Sequence, residues 1–197
     1  MTDSPHAAGD NAPGRVLVAG DWHGNRYWAL NVIHRVPQFL AGEQRPLIVH
    51  LGDFDQAVRR HGHDWWPDEE ITGEQEAAII GGGHADVMVC HDCPAGVPHA
   101  FPPPPPEWSP ADLARNDAHR ARLQRIVDAV RPDHLMHGHL HRAYQSTCDF
   151  GYGPVQVTGL AADGSMRNFA VLDVTSMKWT PRRPGILAFL SSVFRFR

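Results

Sequence analysis

Two short apolar runs, Val16-Leu17-Val18-Ala19 and Leu47-Ile48-Val49-His50-Leu51, are closed by Gly20 and Gly52 and bracket a segment of helical periodicity. Short β-branched runs that stop at glycine read as buried strands. Between them Trp28, Leu30, Val32, Ile33, Val36 and Phe39 recur at spacings of about three to four, which gives a helix one apolar face. Pro37 has no amide to donate and should kink or end that helix. The succession is a βαβ unit and places the chain in the α/β class.

The rest of the chain extends this pattern. Val87-Met88-Val89-Cys90 follows a glycine cluster at Gly81 to Gly83 and leads into His91-Asp92-Cys93-Pro94, a further strand that ends in a polar loop. The prolines from Pro102 to Pro106 imply an extended polyproline segment. Ser109 is then placed to cap a helix from about Pro110 to Val130, with Pro110 in its first turn and Leu113, Leu123, Ile126, Val127 and Val130 on its apolar face. Pro132 stops it. His134 to His137 reads as a strand closed by Gly138, and further strands are expected at Pro154 to Leu160 and Phe169 to Val174, with a turn at Asp163-Gly164.

At 197 residues the chain is sized for one domain. Residues 1–14 have neither periodicity and are expected to be a disordered tail, 15–180 the domain, and 181–197 an apolar and basic tail. Within that tail the run from Gly185 to Phe194 is about half as long as a membrane span requires. It reads as a last element packed on the core, the alternative being an interfacial or partner-binding segment with basic flanks. A mean hydropathy of -0.36 argues against an integral membrane protein. The net charge of -4 gives no global support for gripping a nucleic-acid backbone. Three cysteines, with no second Cys-x-x-Cys to complete a structural zinc site, and no apolar leader fit the reducing cytoplasm.

The sequence holds 14 histidines, and their placement carries the chemistry. Four strands end in ligand-type residues: Gly20-Asp21-Trp22-His23-Gly24-Asn25, Gly52-Asp53, His91-Asp92, and Gly138-His139-Leu140-His141. Carboxyl ends of sheet strands are where open α/β proteins place their sites. In an extended backbone, period two would put Asp21 beside His23 and His139 beside His141. Nitrogen and oxygen donors of this kind suit Mn, Fe, Zn or Ni.

In this order, GDWHGN, GD, His and GHLH resemble the calcineurin-like metallophosphoesterase family, over about residues 15 to 175. The resemblance implies a sandwich of two packed mixed sheets flanked by helices, with two divalent cations side by side. Asp21, His23 and His141 align with ligands of the first ion, Asp53 with the carboxylate that bridges both, and His91 and His139 with ligands of the second. The implied reaction is hydrolysis of a phosphomonoester or phosphodiester by in-line attack of a metal-bridging hydroxide.

The sequence departs from that family after Asp53, where no Gly-Asn-His motif follows and part of the middle is missing. The second ion's shell is then one ligand short, so a weaker second site and reduced activity are expected. His61 and His63 could replace the absent pair as ligand or general acid, the other reading being two solvated loop histidines. Arg26 and Arg142, each directly after a metal motif, could hold substrate phosphate or lie exposed. Asp55 and Asp92 read as surface or supporting groups, Cys90-x-x-Cys93 as incidental, and Trp65-Trp66-Pro67 as packing. The expected partner is a small-molecule or nucleotide phosphoester, and the rival reading is a noncatalytic metal-binding or regulatory descendant of the same fold.

Overall fold

In the computed structural model, which describes residues 13–43, 46–52, 70–98 and 109–181, the two leading apolar runs lie side by side. Strand β1 (Arg15–Ala19) pairs in parallel with β2 (Leu47–His50), Leu17 opposite Ile48, and helix α1 (Arg26–Phe39) joins them. On its other edge β1 pairs antiparallel with β7 (Phe169–Asp173), which pairs antiparallel with β8 (Lys178–Pro181). The order of this mixed sheet is β2-β1-β7-β8. A second mixed sheet has the order β3-β4-β6-β5, from β3 (Val87–Cys90), β4 (His134–His137), β5 (Tyr144–Asp149) and β6 (Pro154–Gly159). In it β3, β4 and β6 run parallel and β5 returns antiparallel.

Alternation along β1 stacks the layers. Leu17 and Ala19 face α1, where Ala29, Val32, Val36 and Phe39 meet them together with Phe169 and Val171 of β7. Val16 and Val18 face the other way, into a core shared with Met136, Leu160 and Ala170 that joins the two sheets. Beyond the second sheet, Val127 of α3 (Pro110–Val130) packs on Leu135, Val155 and Val157. The result is an α/β sandwich of two mixed sheets with α1 outside one and α3 outside the other. Leu17, Leu135, Val155 and Phe169 are essentially fully buried. Burying a side chain of this kind is worth about 1.5–3 kcal/mol.

Two helices follow from their sequence signals. Ser109 accepts the Asp112 amide at 3.2 Å and Asp112 accepts the Ser109 amide at 3.2 Å, a reciprocal cap that starts α3 where Ser-Pro predicts it. In α1, by contrast, Pro37 does not end the helix, which continues to Phe39. The proline falls in the last turn, where it removes one hydrogen bond, and the ring of Phe39 packing on Phe169 at 5.1 Å holds that turn down.

Three elements were not foreseen. Helix α2 (Gly73–Gly81) has a Thr72–Gln75 capping box but no buried residue, and its sequence shows no apolar period to read. Its Glu76 receives Arg125 at 2.7 and 3.0 Å and Arg122 at 3.2 Å, which ties it to α3. Strands β5 and β8 lie at sheet edges; burial alternates along β5, but its inward positions Tyr144, Ser146 and Cys148 make no apolar run to read. The polyproline run, the Trp65-Trp66-Pro67 reading and the segment 182–197 lie outside the described residues.

Candidate metal centre

The carboxyl ends of β1, β2, β3 and β4 meet at one rim of the sandwich. Asp21, just past β1, is fully buried. The chain ends of β2 and β4 close over it: a Cβ on Gly52 would lie 1.6 Å from Asp21 Oδ1, and one on Gly138 would lie 3.3 Å from each carboxylate oxygen. Only glycine at position 52 lets the backbone pass so close to a carboxylate. The His139 amide donates to Asp21 Oδ2 at 2.8 Å. His141 Nε2 stands 3.6 Å from Oδ2, and His91 Nδ1 stands 3.4 Å from Oδ1.

Asp21, His23 and His141 form a group whose ligand atoms all lie within 4.8 Å of one another, which can hold a metal ion. Donors about 2.0–2.2 Å from a common ion stand some 3–4 Å apart, so the 3.6 Å separation of His141 from Asp21 fits. The rings of His23 and His141 meet edge to face at 4.6 Å.

His23 has one ring nitrogen engaged and the other bare. Its Nδ1 lies 2.9 Å from the Asp163 carboxylate, which can only accept, so Nδ1 carries the proton and Nε2 the lone pair. That Nε2 is buried with no hydrogen-bond partner. An imidazole held by a carboxylate with its other nitrogen bare is the usual state of a metal-ligating histidine. Asn25 sets the carboxylate in turn: its amide donates to Asp163 at 2.7 Å, while its oxygen accepts the Trp28 amide at 3.0 Å and caps α1. Burial pushes the Asp163 carboxyl up, but the hydrogen bonds from Asn25 and His23 outweigh it and hold the group below the usual carboxylate range.

The ligand loops do not use strand alternation. His23, His139 and His141 have φ of 47°, 61° and 54°, the left-handed region that non-glycine residues rarely occupy. The period-two expectation is therefore corrected: each ring is aimed by a strained turn, at about 1–3 kcal/mol per residue. Strain of this size persists only where surrounding contacts dictate the backbone.

His91 and His139 are brought to the same rim but into a different arrangement. His91 Nδ1 donates to the Leu51 carbonyl at 2.9 Å, and its Nε2 faces His139 Nδ1 at 3.1 Å. Among the described residues this is a facing pair beside Asp21, outside the three-residue group. Asp53, His61 and His63 lie outside the described residues. Arg26 is exposed and reaches the Tyr27 hydroxyl at 3.2 Å, and Arg142 is also exposed. Asp92 accepts the Cys93 amide at 2.6 Å. Cys90 and Cys93 are free thiols pushed upward by burial, Cys93 to about 12, which suits packing better than chemistry.

Sequence reasoning missed three supporting residues. Asp163 sits in an Asp-Gly pair that signals a turn and hides its role. Asn168, fully buried, uses its whole amide: Oδ1 accepts the indole N–H groups of Trp22 at 3.1 Å and Trp28 at 2.9 Å, and Nδ2 donates to the carbonyls of Asp21 at 3.0 Å and Ala161 at 2.7 Å. No local pattern announces such a hub. His137, also fully buried, donates from Nδ1 to the Gly138 carbonyl at 2.9 Å and accepts the Tyr144 hydroxyl at Nε2, which fixes the start of the His139–His141 turn. Burial lowers its proton affinity and keeps the ring neutral.

Among the described residues no helix is long and apolar enough to cross a membrane. A scan against protein-family models finds no match to this chain, and neither does a search of curated proteins.

Proposed function

We propose that the protein is a metal-dependent phosphoesterase of calcineurin-like type, hydrolysing a phosphomonoester or phosphodiester. The observation that carries this reading is the Asp21, His23 and His141 group, with His23 Nε2 bare, buried and backed by Asp163. Divalent cations bound at such a rim supply positive charge to phosphoryl oxygens and acidify water. This chain's own residues do the rest. Asp21 offers one oxygen towards His141 and the other towards His91, the Asn25–Asp163 contact keeps His23 aimed, and His137 anchors the turn that carries His139 and His141. Asp53, with His91 and His139, would complete a second and weaker cation site. Arg26 and Arg142, both exposed, flank the ligand loops where a phosphate would arrive.

The test is elemental analysis of the purified protein together with Mn-stimulated hydrolysis of p-nitrophenyl phosphate and its bis-ester. About two ions per chain with turnover supports the enzyme. A sample that retains no transition metal and shows no metal-stimulated release of nitrophenol overturns it. One observation favours a second reading, a noncatalytic metal-binding protein: only one group of three ligands assembles among the described residues. A single tightly held ion without turnover would select it.

A further inference from the structure

The peptide between Gly138 and His139 is held from both sides. Its N–H donates to Asp21 Oδ2 at 2.8 Å, and its carbonyl accepts from His137 Nδ1 at 2.9 Å and from the Leu140 amide at 2.7 Å. A carbonyl only accepts, so His137 carries its proton on Nδ1 and offers a lone pair at Nε2. The hydroxyl that meets Nε2 is that of Tyr144, which must therefore donate. The Tyr144 hydroxyl, the His137 ring, the 138–139 peptide and the Asp21 carboxylate thus form one line, with every donor pointing the same way. His137 and Asp21 are both fully buried, so bulk solvent does not compete along it.

Strand pairing fixes the Tyr144 end of this line. Tyr144 of β5 lies opposite Gly159 of β6, and a Cβ on Gly159 would stand 2.2 Å from Tyr144 Cε1. The ring lies across bare backbone where a side chain would not fit. Cys93 Sγ stands 4.0 Å from the phenol oxygen. Since the phenol proton is committed to His137, that thiol is the donor of the two.

We propose that Tyr144 is a positioning residue of the metal centre, setting Asp21 and the His139–His141 turn through His137 and the 138–139 peptide. The inference rests on the cation-binding part of the reading above and not on turnover. Two effects compete along the line. Hydrogen bonds in series polarise one another, so each donor draws charge from Asp21 and weakens its hold on a cation. The same line fixes the peptide from which the ligand turn springs, and ligands held in place bind more tightly. Positioning outweighs the draw. A neutral N–H takes only a fraction of the carboxylate's charge, whereas a shift of that peptide moves the partner of Asp21 Oδ2 and the turn carrying His141 together.

The test is calorimetric titration of the full chain with Mn and with Co(II), for the wild type, Tyr144→Phe and Val155→Ala. Tyr144→Phe removes one oxygen and leaves the ring on Gly159. Partners one step behind a ligand are worth about 10–100-fold in affinity, and Tyr144 stands further back, so a loss of roughly 3–10-fold is expected. The visible spectrum of the Co(II)-loaded protein should change with it, because ligand geometry sets those bands. Val155 is fully buried in the core against which Tyr144 packs. Val155→Ala should lower the melting temperature at least as far as Tyr144→Phe does, yet keep the Co(II) spectrum and leave affinity within about twofold. A wild type that binds neither ion overturns the metal centre, and the line behind it as well. Where the wild type binds, an unchanged or tighter affinity in Tyr144→Phe, an unchanged Co(II) spectrum, or an equal loss in Val155→Ala overturns the positioning role alone.

Discussion

The two sets of histidines at the rim share Asp21 but are braced in different ways. His23 is locked by a carboxylate that is itself clamped by Asn25, and the strand end beneath it is fixed by Asn168, whose four hydrogen-bonding sites are all used. His91 leans on a main-chain carbonyl and stands 3.4 Å from Asp21, and its Nε2 faces His139. The first set is organised before any ion arrives, so binding there orders few groups and affinity follows geometry. In the second set one nitrogen of each ring faces the other, and a cation must first separate a contact of 3.1 Å. A braced imidazole on one side and self-pairing on the other predict two cation affinities rather than one.

The strongest way to break this contrast is to remove the hub below it. Asn168→Leu removes one hydrogen bond each from two indole donors and two carbonyls. At about 1–3 kcal/mol for each group that stays dry, the unfolding free energy should fall by some 3–5 kcal/mol, read by urea denaturation. A loss below about 1 kcal/mol would mean that the network is decorative. Next in size is Asp21→Asn, which removes the charge that both sets share. Cation affinity by calorimetry should fall by more than the roughly 10–100-fold that an outer partner is worth. Asp163→Asn then isolates the bracing itself: the ligands remain, the imidazole loses its carboxylate, and affinity should drop about 10–100-fold at a nearly unchanged melting temperature. If affinity and melting temperature fall together, Asp163 acts through the fold and not through His23.

How far the sequence reaches follows the same division. The βαβ start, the capped helix from Pro110 and the strand ends at Ala19, His50, Cys90 and His137 are local: each depends on apolar period, a cap or a closing glycine, and these are legible in a single chain. That Asp21, His23 and His141 would meet was legible as an ordered set of motifs. The means by which they meet was not, since strand period gives no sign of the positive φ at His23 and His141. Asp163 lies 140 residues from His23 and Asn168 lies 146 from Trp22. A turn dipeptide and a lone asparagine give no local sign of such partners. Strands β5 and β8 escaped for the opposite reason, because edge strands need little apolar alternation to pair.

The finest separation comes from two substitutions with the same backbone consequence. His139 and His141 both sit at positive φ, at 61° and 54°, so His139→Gly and His141→Gly should each relieve strain of about 1 kcal/mol. Both also keep the backbone amide, including the one that His139 donates to Asp21. Ligation is then the only difference between them. His141→Gly should weaken the tighter cation at least about tenfold, whereas His139→Gly should leave it within roughly threefold and lower the binding of any second ion. Equal losses in both variants would mean that the two rings serve one ion, and the contrast between a prepared and a self-paired set would fail. If His139→Gly leaves the tighter ion untouched, the three-ligand group stands without the second histidine pair, and that pair's contribution can be read from the weaker ion alone.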